Sequence, residues 1–169
     1  MENSLLNLKM IENLLHHCEL KTAKWELIKL LARSNPDHDL ENRFEICMIL
    51  LEVLAEQKDS EMITQVKSEI TQKTGLIYQL HAHRSNYVLA LCSAYQGQYE
   101  EALNYCELSL DDLLKQGDLM NEKSKNLDQL ILTLAGRIAC LVKLSRFEDA
   151  FSTLDRLELI SAQSSSFNA

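Results

Sequence analysis

One pattern occurs twice in this chain, 48 positions apart, and it constrains the fold more than any single residue does. It reads Cys92-x4-Gly97-Gln98-Tyr99-Glu100-Glu101-Ala102-Leu103, then Cys140-x4-Ser145-Arg146-Phe147-Glu148-Asp149-Ala150-Phe151. Each copy has the end of one helix, a tight polar turn, an aromatic, two acids and a small residue opening a second helix. The acids fall in a first helical turn, where the positive end of the helix dipole favours them. Repetition of this kind marks stacked supersecondary units, each too small to bury its apolar face alone. The unit here is an antiparallel helix hairpin.

Apolar spacing extends the reading to the rest of the chain. Leu5, Leu8, Ile11, Leu14 and Leu15 recur at helical intervals, and Leu27, Ile28, Leu30 and Leu31 do so after a polar break, which predicts a first hairpin over residues 4–34. Ser34-Asn35-Pro36-Asp37 stops it, because proline cannot continue a helix and disfavours helical geometry in the residue before it. Asp37 or Asp39 is placed to cap the next helix. A second hairpin, 38–74, follows from the dense apolar stretch Phe44 to Leu54, the polar break Glu56 to Ser60, and Met62, Ile63, Val66 and Ile70; Thr74-Gly75 ends it. A third, 76–116, pairs Leu76 to Tyr95 with Tyr99 to Leu114 and stops at Gly117-Asp118, and a fourth, 120–160, pairs Met120 to Leu144 with Arg146 to Ile160. The expectation is one all-α domain over residues 1–160 with a flexible, serine-rich tail at 161–169.

Charge narrows the partners. Residues 1–84 carry ten Lys/Arg against thirteen Asp/Glu, and residues 85–169 carry seven against twelve, so both halves are acidic. Phosphate neutralisation supplies most nonspecific nucleic-acid affinity, so an acidic chain without a basic block argues against nucleic acid, and equally against an anionic membrane surface. The longest apolar run, Ile46 to Leu51, is far short of the ~20 residues a membrane-spanning helix needs. Met1-Glu2-Asn3-Ser4 lacks the basic start of a secretion signal, which leaves the cytoplasm as the expected location. Cys18, Cys47, Cys92, Cys106 and Cys140 are an odd set on helical patterns and read as reduced, packed thiols.

Catalytic and cofactor patterns do not assemble. Gly75, Gly97, Gly117 and Gly136 are isolated, so neither a phosphate-cradling loop nor a dinucleotide fingerprint is formed. No histidine follows a Glu by three positions, as a carboxylate-bridged metal bundle would require. In His16-His17-Cys18, successive helical residues point ~100° apart and do not converge on one ion. His81 and His83 are read as one exposed and one partly packed imidazole on opposite helix faces. Trp25, beside the first small residue Ala23, is expected to plug the core or an inter-helix gap. No cofactor, metal or catalytic group is expected, and the chain reads as a non-enzyme.

Eight helices in four hairpins, with a small residue near the start of each second helix, resemble tetratricopeptide repeats. The third supplies Leu89, Ala90, Gly97, Tyr99 and Ala102; the fourth supplies Leu134, Leu141, Phe147, Ala150 and Leu154. Ile11, Leu14, Leu20, Ala23, Leu27 and Leu30 fit the same frame, with Pro36 one place beyond the usual proline. Taking Ala23, Met62, Ala102 and Ala150 as equivalent gives steps of 39, 40 and 48 residues, longer than the standard 34. Asn86, Ser93 and Arg137 depart from the pattern, standing at a bulky aromatic, an inner aromatic and a leucine position.

The resemblance implies a right-handed superhelix whose first helices line a concave, peptide-binding groove. Carried across from the anchors, the groove positions are Phe44, Cys47, Leu51, Leu54 and Ala55 in the second hairpin, and Arg84, Tyr87, Leu91, Ala94 and Tyr95 in the third. In the fourth they are Leu132, Ala135, Ala139, Val142 and Lys143. This surface is mostly apolar, with Arg84 and Lys143 as polar anchors; where members that clamp a terminal carboxylate use Lys, Asn and Arg, this chain has Cys47, Leu51, Tyr87, Leu91, Ala135 and Ala139. It implies a protein partner with apolar anchors, a hydrophobic peptide or amphipathic helix, or a second copy of the chain. Phe44, Leu51, Arg84, Tyr87, Leu91, Tyr95 and Lys143 are the candidate contacts. Long units of this kind also occur in sensory or dimerisation segments of bacterial signalling regulators. Small acidic secretion chaperones match in length and charge. A structural homo-oligomerising subunit, a closed bundle burying the same residues, and a helical-bundle enzyme are the remaining alternatives.

Overall fold

Three-residue turns join the helices in pairs, and their hydrogen bonds show why the hairpins form where they do. The computed structural model of the protein describes residues 10–11, 13–17, 19–34, 40–73, 81–115 and 125–166, and among these the only regular secondary structure is helix. At the turn between Tyr95 and Tyr99, Gly97 has φ +79, its N–H bonds to the Ala94 carbonyl (3.0 Å), and the Gln98 N–H bonds to the Ser93 carbonyl (2.9 Å). This closes the last helical carbonyls through a left-handed residue. Lys58 (φ 56) and Ser145 (φ 60) do the same: Asp59 N–H bonds to the Leu54 carbonyl and Arg146 N–H to the Leu141 carbonyl. The Glu19 N–H to Leu14 carbonyl bond repeats the wider of the two closures.

These turns correct one anchor. The amide that first bonds back to the residue after the turn belongs to Ala23, Ala102 and Ala150, and in the second hairpin to Ile63 rather than Met62. Ile63 is fully buried and Met62 only partly so.

The chain divides into two compact units, 1–80 and 81–169, where the sequence reading draws one domain over 1–160. In the first, α1 (Leu20–Arg33) and α3 (Ser60–Lys73) both pack on α2 (Leu40–Glu56). Apolar nearly all round, α2 is correspondingly buried nearly all round, from Phe44 through Ala55. Ala23 and Leu27 give α1 its buried face. Trp25 lies two residues from each, ~200° around the helix, and is 61% exposed, so it plugs nothing within the described structure. The stop at Asn35-Pro36-Asp37, the Asp37 or Asp39 cap, Leu5, Leu8, Cys18, Thr74-Gly75, Gly117-Asp118 and Met120 lie outside the described residues.

The second unit contains α4 (Ala82–Tyr95), α5 (Tyr99–Lys115), α6 (Lys125–Lys143) and α7 (Phe147–Ser166). Consecutive helices pack as neighbours, and α4 also touches α6. One end of the core joins Ala102 and Leu103 to Cys140, Leu141 and Ala150, with Ala94 and Leu144 against them. The other joins Leu110 and Leu113 to Leu130 and Leu134, flanked by Leu157 and Ile160. The α7 helix continues to Ser166, six residues into the expected tail, its packing on the core carried as far as Ile160.

The three departures from the repeat pattern are polar contacts between these helices. Asn86 donates to Asp112 (3.2 Å) and Ser93 to Glu101 (3.1 Å), each from α4 to α5. Arg137 on α6 donates to the Thr153 hydroxyl on α7 and lies 3.6 Å from a Glu107 oxygen on α5. Polar side chains replace apolar ones where a partner across the interface satisfies them.

Candidate functional site

A cavity of about 310 Å³ opens between α4 and α6, with α5 at its back. Tyr87, Ala90, Leu91, Ala94 and Tyr95 line it from α4, and Gly136, Ala139, Cys140 and Lys143 from α6. Tyr99 and Cys106 complete it from α5. On α4 the lining side chains follow i, i+3, i+4, i+7 and i+8 spacing, and on α6 i, i+3, i+4 and i+7, so each helix presents one stripe. Small residues on α6 leave the space that Tyr87, Leu91 and Tyr95 overlook. Its volume falls at the lower end of the ~300–1,000 Å³ typical of ligand pockets.

Four of the seven candidate contacts thus meet in one place: Tyr87, Leu91, Tyr95 and Lys143. Lys143 is solvent-exposed, and among the described residues no carboxylate pairs with it. Arg84 is half-buried on α4 and does not line the cavity. No family matches this chain, and no match was found among curated proteins or solved structures.

Phe44 and Leu51 are corrected. Both are fully buried in the first unit and offer no surface to a partner. The cause is that α2 is apolar nearly all round and packs between α1 and α3, which buries it on nearly every face. With Ile63 as anchor, the equivalent positions become Glu45, Met48, Glu52, Ala55 and Glu56, of which Met48 and Ala55 are again buried in the core. The apolar stripe predicted for the second hairpin is core, and the corrected set is partly acidic.

Ala90, Tyr99, Cys106, Gly136 and Cys140 were not assigned to the surface by sequence. Tyr99 and Cys140 belong to the repeated pattern, which marks them as structurally fixed but not as cavity-facing. Cys92, the equivalent of Cys140 one repeat earlier, is fully buried, so the pattern alone does not separate the two environments.

His16 and His17 are exposed, and among the described residues no three His, Cys, Asp or Glu side chains converge as a metal site. His81 precedes α4 and His83 lies in its first turn, both partly buried. Burial, reinforced by the neighbouring His81, holds the His83 imidazole below its ordinary pKa. No helix among the described residues is long and apolar enough to cross a membrane.

Proposed function

We propose that this chain is a non-enzymatic protein-binding module whose second unit holds an apolar peptide or one face of an amphipathic helix between α4 and α6. The observation that carries the reading is the cavity itself, where Tyr87, Leu91 and Tyr95 face a floor of small residues on α6. Adjacent first helices of two consecutive hairpins form it, the arrangement a tetratricopeptide-like pair would use. Affinity comes from desolvating the two tyrosines and Leu91, and Lys143 at the rim orients a partner's carboxylate or backbone carbonyl. Buried thiols and the absence of a long apolar helix among the described residues support a cytoplasmic setting.

The test is selection of displayed random peptides on the purified chain, followed by titration of winners against variants. Enriched peptides should carry paired apolar anchors, and Tyr87→Ala/Leu91→Ala should weaken them by at least ~30-fold, the effect of losing about 2 kcal/mol of anchor contact. Circular dichroism should show unchanged helix content. Winners that bind the double variant equally well would remove the cavity as the binding site.

A second reading rests on a separate observation. Phe147, Phe151 and Leu154 form an exposed apolar stripe along α7, which fits contact with a second copy of the chain.

A further inference from the structure

We propose that the outer face of α1 is a docking surface, on which Trp25 and its flanking cations hold a short acidic peptide segment with an apolar anchor. Lys21, Trp25, Lys29 and Arg33 follow i, i+4, i+8 and i+12 spacing, a stripe of roughly 18 Å at 1.5 Å per residue that turns ~40° per step. All four are exposed, on the side of the helix away from the buried Ala23 and Leu27. An indole left 61% exposed forgoes the gain of burial, and Trp and Arg are the residues in which interface energy most often concentrates. This surface belongs to the first unit and is independent of the cavity between α4 and α6.

Charge selects the occupant. The chain carries a formal −8, yet α1 has four cations against one acid, Glu26. Lys24 is turned to Asp59 (2.6 Å), which leaves the other three cations on the stripe. Among the described residues Lys21 and Arg33 pair with no carboxylate. Lys29 makes the exposed i,i+3 contact with Glu26 (2.7 Å), a surface pair that a partner's carboxylate replaces at little cost. The stripe therefore attracts an anion, and the acidity of the rest of the chain limits that anion's extent. A long nucleic-acid strand or an anionic bilayer meets the repulsion of the whole molecule, whereas a short peptide answers the local field, which salt screens over ~8–10 Å. Trp25 lies one helical turn from both Lys21 and Lys29, so the matching segment has an apolar residue with an acid on either side.

Trp25 is the one tryptophan of the chain, so its fluorescence reports this surface directly. The test selects displayed random peptides on the full chain and titrates each winner while following tryptophan emission. The expected result is a class of acidic peptides with an apolar residue between carboxylates, which shifts the emission to the blue and binds more weakly as salt is raised. Lys21→Glu/Arg33→Glu should weaken this class by at least ~30-fold with helix content unchanged. Trp25→Ala, followed by anisotropy of the fluorescein-labelled peptide, should do the same. Selection that yields no acidic class, or acidic winners that leave the emission unmoved or bind the charge-reversed chain equally well, would overturn the assignment. So would acidic winners lost in Tyr87→Ala/Leu91→Ala, which would place them in the cavity. Single-stranded DNA or phosphatidylserine vesicles that shift the emission at lower concentration than the peptides would also overturn it, by giving the stripe to a polyanion. The wild-type emission and its salt dependence decide the matter even where a variant fails to fold.

Discussion

Arg43 ties together three helices of the first unit. Its Nη1 donates to the Leu31 and Ser34 carbonyls (2.9 and 3.0 Å) and to the Ser34 hydroxyl (2.8 Å), closing the end of α1. Its Nε and Nη2 donate to Glu69 on α3. The guanidinium is almost wholly buried, so removing it breaks a largely desolvated ion pair with Glu69 and leaves helix-end carbonyls open. Arg43→Met should lower the unfolding free energy in urea by about 3 kcal/mol. Arg43→Met/Glu69→Leu should recover more than half of that, because it removes both charges; equal losses would show that the carbonyl contacts alone carry the effect. None of this was legible in the sequence, where Arg43 is one polar residue at the edge of an apolar run. Trp25 erred oppositely: its size suggested burial, and its angle from Ala23 and Leu27 decided exposure. Residue type states what a side chain would gain by burial, but only the helix phase states whether it is offered.

At the scale of elements, helices and turns were readable because polar breaks and local geometry coincide. The phase of a helix was readable only where a small residue fixed it. Ala102 and Ala150 set the phase of α4 and α6, and six of the eleven cavity residues followed; the second hairpin offered Met62 and Ile63 side by side, and α2, apolar nearly all round, is buried in either register. The turns themselves can be tested. A non-glycine residue in the left-handed region costs roughly 1–2 kcal/mol. Ser145→Gly should therefore raise stability by about 1 kcal/mol, and Gly97→Ala should lower it by about as much. A Cβ on Gly97 would meet nothing within 4 Å, so any loss there in thermal or urea unfolding reports the backbone alone. At the start of α3, Asp59 accepts from the Met62 N–H (3.3 Å) and pairs with Lys24 on α1 (2.6 Å). The Lys24 hydrogen bond, then the Met62 amide, hold its carboxyl below its ordinary value. A depressed folded-state value means the unfolded chain binds the proton more tightly. This stabilisation is present above about pH 3.8 and is lost as pH falls through the folded value. Asp59→Asn keeps a capping oxygen and should flatten that acid limb of a pH titration of Tm.

For the whole molecule, the internal repeat shows what an uncovered helix face is built to meet. Shifted by 48 positions, Leu103 and Cys106 of α5 become Phe151 and Leu154 of α7. The first pair is 3% and 1% exposed because α6 lies on it, while Phe151 and Leu154 are 66% and 38% exposed. Among the described residues no helix takes the place of α6 there. If a second copy does, the weight-average mass in sedimentation equilibrium should climb from 19.4 kDa towards twice that with concentration. Phe151→Glu/Leu154→Ser should hold it at the monomer value. Salt supplies an independent check of cause. Each copy carries a formal charge of −8, so apposing two is opposed by long-range repulsion that ions screen over ~8–10 Å at physiological strength. An apolar contact working against that repulsion tightens as salt is added, whereas one made of ion pairs loosens. Association that strengthens between low and high salt and disappears in the double variant places the second copy on α7. Association that weakens with salt would move the contact to the charged surface, and a monomer at every concentration would leave α7 to a partner of another kind.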